Sequence, residues 1–223
     1  LDYGPSGRAQ TLAALHQGGL AYTGLPAQIT TLNVRGVKVA FLGFAPYRYT
    51  ANLLDIPTAQ ALVRQARRQA QLVVVIIHAG AEGRDATRTP VGDQYFVGED
   101  RGDARAFAHG VIDAGASIVL GSGPHVVRGI EDYRGHMIAY SAGNFVGYHT
   151  LGHGGVLSES GILRVTLGAG GKVEAARWFS LALIDGLPRP DVTQTSAKFI
   201  GWLSGQDFPA GHFAIDGNGI FHV

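Results

Sequence analysis

The stretch Leu72-Val73-Val74-Val75-Ile76-Ile77-His78-Ala79-Gly80-Ala81-Glu82 opens with six apolar residues, most of them β-branched, and stops abruptly at an imidazole. A continuous run of that length suits a central strand covered on both faces. Upstream, Pro57 followed by Ala61, Leu62 and Ala66 at helical spacing predicts a helix over 57–69. Downstream, a loop rich in Gly and charge runs from 79 to about 102. A helix over 104–114 then leads through Gly115 to a short apolar strand over 117–120. Strand, helix and strand in that order make a βαβ unit, whose two strands lie parallel and end at the same edge of a sheet.

The pattern continues outward on both sides. Gly4-Pro5-Ser6-Gly7 and the apolar Leu12, Ala13, Ala14 and Leu15 predict a helix over 4–16, closed by Gly18 and Gly19. A short strand over 21–24 follows, and runs over 29–33 and 37–44 join through Arg35-Gly36 as a hairpin. Further hairpins are expected from 126–133 with 137–140 through Arg134-Gly135, and from 161–167 with 173–183 around Gly170-Gly171. A helix over 191–203 comes last. The expected class is α/β, a layered sandwich of mixed β-sheets flanked by helices. The length suits one globular unit over 1–223, with a core over about 1–185 and a C-terminal helix and tail over 186–223.

Composition narrows the function. Apolar residues make up 46% and charged residues 16% of the chain, the balance of a folded protein. The net charge of +1 is dispersed, so no basic stripe speaks for nucleic acid and no polybasic run for an anionic membrane. No apolar run in this segment reaches the length of a membrane span. With no Cys, disulfides, thiolate metal sites and Cys nucleophiles are excluded, and a transition metal must be held by His, Asp, Glu or Asn.

Ligands of α/β folds collect in the loops that follow strand ends, and two of the nine histidines stand there. His78 ends the decisive run and is followed by Gly80 and Glu82. His125 closes Gly121-Ser122-Gly123-Pro124-His125, just after the strand over 117–120. Two imidazoles on rigid strand ends are candidate ligands for a divalent metal ion, while each one alone reads better as a hydrogen-bonded residue. A third strand end is Ala139-Tyr140-Ser141-Ala142-Gly143-Asn144-Phe145. There Asn144 either offers its carbonyl to a metal or substrate oxygen or closes an Asx turn.

Several of these motifs occur together in one known family. His78-Ala-Gly-Ala-Glu82, Arg101-Gly-Asp103-Ala-Arg-Ala-Phe-Ala-His109, Ile112-Asp-Ala-Gly115, Gly121-Ser-Gly-Pro-His125-Val, Arg128-Gly-Ile-Glu131 and Tyr140-Ser-Ala-Gly-Asn144-Phe145 follow one another as in CapA-type proteins. The chain resembles this family, which is named for poly-γ-glutamate capsule biosynthesis and belongs to the calcineurin-like metallophosphatase superfamily, over residues 2 to about 167. The resemblance implies a metallophosphatase-like fold in four α/β/β/α layers. It also implies a divalent metal ion (Mn, Zn, Fe or Ca) with His78 and His125 as ligands. It places further metal motifs upstream of Leu1, so the N-terminal part of the site is expected to be missing. It suggests a bacterial cell envelope or extracytoplasmic location, with any signal or anchor upstream of Leu1.

In the superfamily's chemistry a metal-bound water attacks a phosphoryl or related centre. Carried to this sequence, Glu82 either orients His78 or acts as general base, against the plainer reading of a solvated loop carboxylate. Arg128, Arg101 and Asn144 are candidates to hold an anionic substrate, against ordinary ion pairs for the two arginines. Gly123 stands where the superfamily has a ligand. His109 reads as packing or capping, and His136, His149, His153, His212 and His222 are assigned no chemistry.

Three functions stay open at this level. One is a metal-dependent hydrolase acting on an acidic polymer, peptide-like or phosphoryl substrate. Another is a non-catalytic module that binds such a polymer. The last is metal-assisted proton abstraction in a peptide-modifying epimerase.

Overall fold

A computed structural model describes residues 3–147 and 154–223. Helix α1 (Gly4–Gln17) starts at a Pro turn, ends at Gly18 and buries none of its side chains. Strands β1 (Thr30–Val34) and β2 (Val37–Ala45) pair antiparallel through the turn at Arg35-Gly36, as the sequence suggests. After the two-residue β3 (Ala51–Asn52), helix α2 (Ile56–Gln69) begins where the Asp55 carboxylate accepts a bond from the Thr58 amide. Its buried Ala59, Leu62, Val63 and Ala66 form the one-sided stripe that a helix lays on a sheet.

Strand β4 (Leu72–His78) comes next, followed by the small hairpin β5 (Tyr95–Phe96) and β6 (Glu99–Asp100) within the long loop. Helix α3 (Ala104–Asp113), capped by Asp103, leads into β7 (Ile118–Ser122). The expected βαβ unit is therefore present, with Val74 opposite Ile118 and His78 opposite Ser122 in parallel register. The hairpin β8 (Ile130–Tyr133) and β9 (His136–Ala139) completes a sheet ordered β1-β2-β4-β7-β9-β8, with β3 beside β2. Its strands β2, β4, β7 and β9 are parallel, so their carboxyl ends share one edge.

The second sheet is antiparallel. It is built from β10 (Glu159–Leu167), β11 (Val173–Ile184), β12 (Leu187–Pro190), β13 (Ala214–Ile215) and β14 (Ile220–His222), with β11 as its hub. Helix α4 (Thr195–Asp207) lies against β8 of the first sheet and β10, β11 and β13 of the second. Two apolar cores result. One joins α2 and α3 to the first sheet through Val63, Ala66, Val73, Val75, Ile77 and Phe107. The other joins the two sheets and α4 through Ile130, Met137, Trp178, Ile200 and Phe221. At about 1.5–3 kcal/mol for each large side chain fully buried, these cores supply the main drive for folding.

Three expectations change. The β4 run is sealed on one face by Val73, Val75 and Ile77. On the other, Val74 meets the second core while Ile76 stays 39% exposed, because the second sheet covers the β7–β8 side and leaves the β1–β4 side open. Residues 21–24 form no ladder; the Thr23 hydroxyl instead donates to the Phe41 carbonyl and accepts from the Gly43 amide. Helix α4 starts four residues later than predicted because the Asp191 carboxylate accepts from the Thr193 and Thr195 amides and holds a turn there.

Candidate active site

The carboxyl ends of β4 and β7 and the segment after β9 bring His78, His125 and Asn144 to one edge of the parallel strands. The loop after β4 adds Glu82 and Arg101. Arg101, 5% exposed, is the hub. Its Nη1 forms an ion pair with Glu82 Oε1 at 2.8 Å and donates to the Tyr47 hydroxyl at 3.1 Å and to His78 Nε2 at 3.3 Å, and its Nη2 pairs with Glu99 Oε2 at 3.2 Å. The Tyr47 and Phe96 rings flank the guanidinium at 5.8 and 5.6 Å.

Protonation of the two imidazoles follows from their partners. A guanidinium only donates, so His78 Nε2 must accept and the proton of the neutral ring sits on Nδ1. Burial, and then the Arg101 charge, lowers the His78 pKa and favours that neutral ring. Burial outweighs Arg101 at Tyr47 and raises its phenol pKa. His125 Nδ1 lies 2.7 Å from Asn144 Oδ1, an acceptor only, so Nδ1 carries a proton there too. His125 Nε2 then faces Glu82 Oε2 across 3.6 Å, beyond hydrogen-bond length. Two electron-rich atoms thus face each other at a distance that a shared proton or a cation would bridge.

The backbone is shaped to make this approach. His125 holds a left-handed φ of 60°, a conformation that costs a non-glycine residue on the order of 1 kcal/mol. Two residues earlier, Gly123 has φ 118°, and a Cβ there would lie 3.1 Å from the Ala79 amide nitrogen and carbonyl oxygen. Gly123 is therefore favoured by close packing of the two strand-end loops, and a side chain at that position would be strained and tight against Ala79.

Two of the expected substrate contacts, Arg128 and Asn144, are engaged by the protein itself. Arg128 is only 1% exposed. Its Nε donates to the Ala86 carbonyl at 2.8 Å, and its Nη2 donates to the Ala81 carbonyl at 3.1 Å and to Gln94 Oε1 at 3.0 Å. Burial lowers its pKa to about 10, which still leaves a cation at neutral pH. Arg128 ties the loop after β4 together and presents nothing to a substrate. Asn144 is likewise buried; its side chain holds His125 and donates to the Leu157 carbonyl, while its backbone carbonyl accepts from the Ser160 hydroxyl.

Glu82 keeps its place in the cluster as a paired carboxylate. His109 is more than packing, since its Nε2 lies 2.9 Å from the buried Glu131, which also accepts from the Tyr140 hydroxyl at 2.6 Å. His149 and His153 lie outside the described residues. Tyr47 and Glu99 were missed. Tyr47 follows the end of β2, so the strand-end rule that found His78 would have found it.

For a metal ion the fit is incomplete. Among the described residues no group of three or more His, Asp or Glu side chains could hold one. His78 turns its acceptor nitrogen to Arg101, and Gly123 carries no ligating side chain.

A sandwich of mixed sheets with a polar cluster at the carboxyl ends of its parallel strands is the class that fold and site define. The chain belongs to the family described as bacterial capsule synthesis protein PGA_cap, which matches residues 1–149. It is 31% identical over 163 residues to the PGA biosynthesis protein CapA of Bacillus subtilis strain 168, covering 66% of this chain and 40% of that protein. It is 30% identical over 167 residues to the capsule biosynthesis protein CapA of Bacillus anthracis, covering 65% and 37%. The chain thus spans about two-fifths of the length of these relatives. A crystal structure described as a 5'-nucleotidase from Staphylococcus aureus in complex with alpha-ketoglutarate aligns with a TM-score of 0.41 and 16% identity, over 77% of this chain and 34% of that one. No helix among the described residues is long and apolar enough to cross a membrane.

Proposed function

We propose that this chain acts in capsule-polymer metabolism at the bacterial cell envelope, and that the cluster at the ends of β4 and β7 hydrolyses an acidic, peptide-like polymer of the poly-γ-glutamate kind. The supporting observation is the gap between His125 Nε2 and Glu82 Oε2, each fixed from behind, His125 by Asn144 and Glu82 by Arg101. An imidazole held in one tautomer with its second nitrogen free to accept is equipped to act as a general base towards a water that reaches it. The adjacent carboxylate favours the imidazolium that forms once His125 has taken a proton from the attacking water, and that proton passes to the amine nitrogen as its bond to the carbonyl carbon breaks. Asn144 and Arg101 keep both groups in place without rearrangement, which is the condition for efficient transfer.

The test is the length distribution of poly-γ-glutamate incubated with the wild-type chain, with His125→Ala and with Glu82→Gln. Shortening by the wild type that falls about a hundredfold or more in each variant supports the reading. A second reading, a polymer-binding module without turnover, is favoured by the engagement of His78 and Glu82 with Arg101 and by the absence of a ligand at Gly123. It is supported instead when the polymer is retained without shortening. Polymer that is neither bound nor shortened would sink both.

A further inference from the structure

Arg101 lies among the donors that a metal ion would need. Its guanidinium touches Glu82, Glu99, the Tyr47 hydroxyl and His78 Nε2, that is two carboxylates, a phenol and an imidazole nitrogen. Such a set of oxygen and nitrogen donors otherwise surrounds a divalent cation. We infer that Arg101 is the resident cation of this site, and that its guanidinium and a divalent ion exclude one another at His78.

Three observations support exclusion. A neutral imidazole has a single acceptor nitrogen, and that of His78 already receives Nη1. The guanidinium is buried, with the Tyr47 and Phe96 ring centroids 5.8 and 5.6 Å away, so moving it aside gives up two cation–π contacts. Two positive charges a few ångströms apart in a partly buried site also repel strongly. The other Glu82 oxygen faces His125 Nε2. Only when Arg101 leaves do His78, Glu82 and His125 become free together as donors.

The inference concerns which cation the site holds and is independent of hydrolysis. Mn2+ alone is titrated into the folded chain at neutral pH, and the free ion is followed by electron paramagnetic resonance in wild type, His78→Ala, Arg101→Met and the double variant. Met keeps an apolar stem between the two rings. The wild type is expected to bind no more Mn2+ than His78→Ala does. Arg101→Met is expected to bind about tenfold tighter or better, the usual size of a neighbour's effect on a metal site. The double variant should lose that gain. Equal binding by wild type and Arg101→Met overturns the inference, as does a gain that survives removal of His78, or no binding by either chain. Should Arg101→Met fail to fold by circular dichroism, Arg101→Gln carries the same test, since it removes the charge and keeps a polar side chain among the four partners. None of these outcomes depends on whether polymer is shortened, so this inference and the hydrolase reading fail separately.

Discussion

Two buried arginines organise the region around the loop after β4, and they do so with opposite kinds of partner. Arg128 bonds to the carbonyls of Ala81 and Ala86 and to the Gln94 amide oxygen, all neutral groups. Arg101 bonds to two carboxylates, a phenol and an imidazole. The first is a scaffold, since five fixed donors can gather loop carbonyls that no other side chain would satisfy. The second belongs to the site, since every group it touches is one that could bind or transfer something. Residue type and burial alone do not separate the two roles; the chemistry of the partners does.

The comparison breaks first at Arg128. Arg128→Ala strands the Ala81 and Ala86 carbonyls at about 1–3 kcal/mol each and leaves Gln94 Oε1 with the Ala81 amide alone, so a loss of about 3 kcal/mol or more is expected in urea unfolding. Arg101→Met, which keeps the stem between the rings and leaves carboxylates that water can reach, is expected to lose less than half of that. A larger loss from Arg101 would reverse the assignment of roles.

Gly80 sharpens the same contrast. It has φ 90°, and a Cβ there would lie 2.7 Å from Arg128 Nη1. Gly80→Ala should therefore cost about 2 kcal/mol, part from the left-handed backbone and part from the displaced guanidinium. Thermal unfolding checks this, and a double variant with Arg128→Ala should show less than the sum of the two losses.

The smallest effect is on pH dependence. Burial and Arg101 hold the His78 pKa below its ordinary value, so the unfolded chain binds the more protons as pH falls past about 6.5. The stability due to His78 is complete above that pH and declines towards the lower folded-state pKa. Urea midpoints taken between about pH 7 and pH 5 should fall less steeply in His78→Gln than in wild type. An unchanged slope would mean that His78 titrates normally.

The sequence made the frame of the site legible and left its interior obscure. The β-branched run from Leu72 to Ile77 announced β4, and the strand-end rule then singled out His78 and His125 without any coordinates. Arg101 and Arg128 read alike as charged residues near a loop, because burial and partners depend on how residues 79–102 fold back on Tyr47 and Gln94. Asn144 was read as a ligand or a turn; its bond to His125 joins residues nineteen apart, a pairing that local pattern does not reveal. The half-open face of β4 depends on how far the second sheet reaches, which periodicity within one strand does not report.

The account rests on Arg101 donating to His78 and on Asn144 accepting from His125. A long-range proton–nitrogen NMR spectrum of the imidazoles at neutral pH reads both contacts at once. It is expected to show His78 as the neutral tautomer protonated at Nδ1 and His125 with a proton at Nδ1, the His78 signals shifting in Arg101→Met and those of His125 in Asn144→Ala. A His78 ring protonated at Nε2, whose acceptor nitrogen would then face away from Arg101, would contradict it.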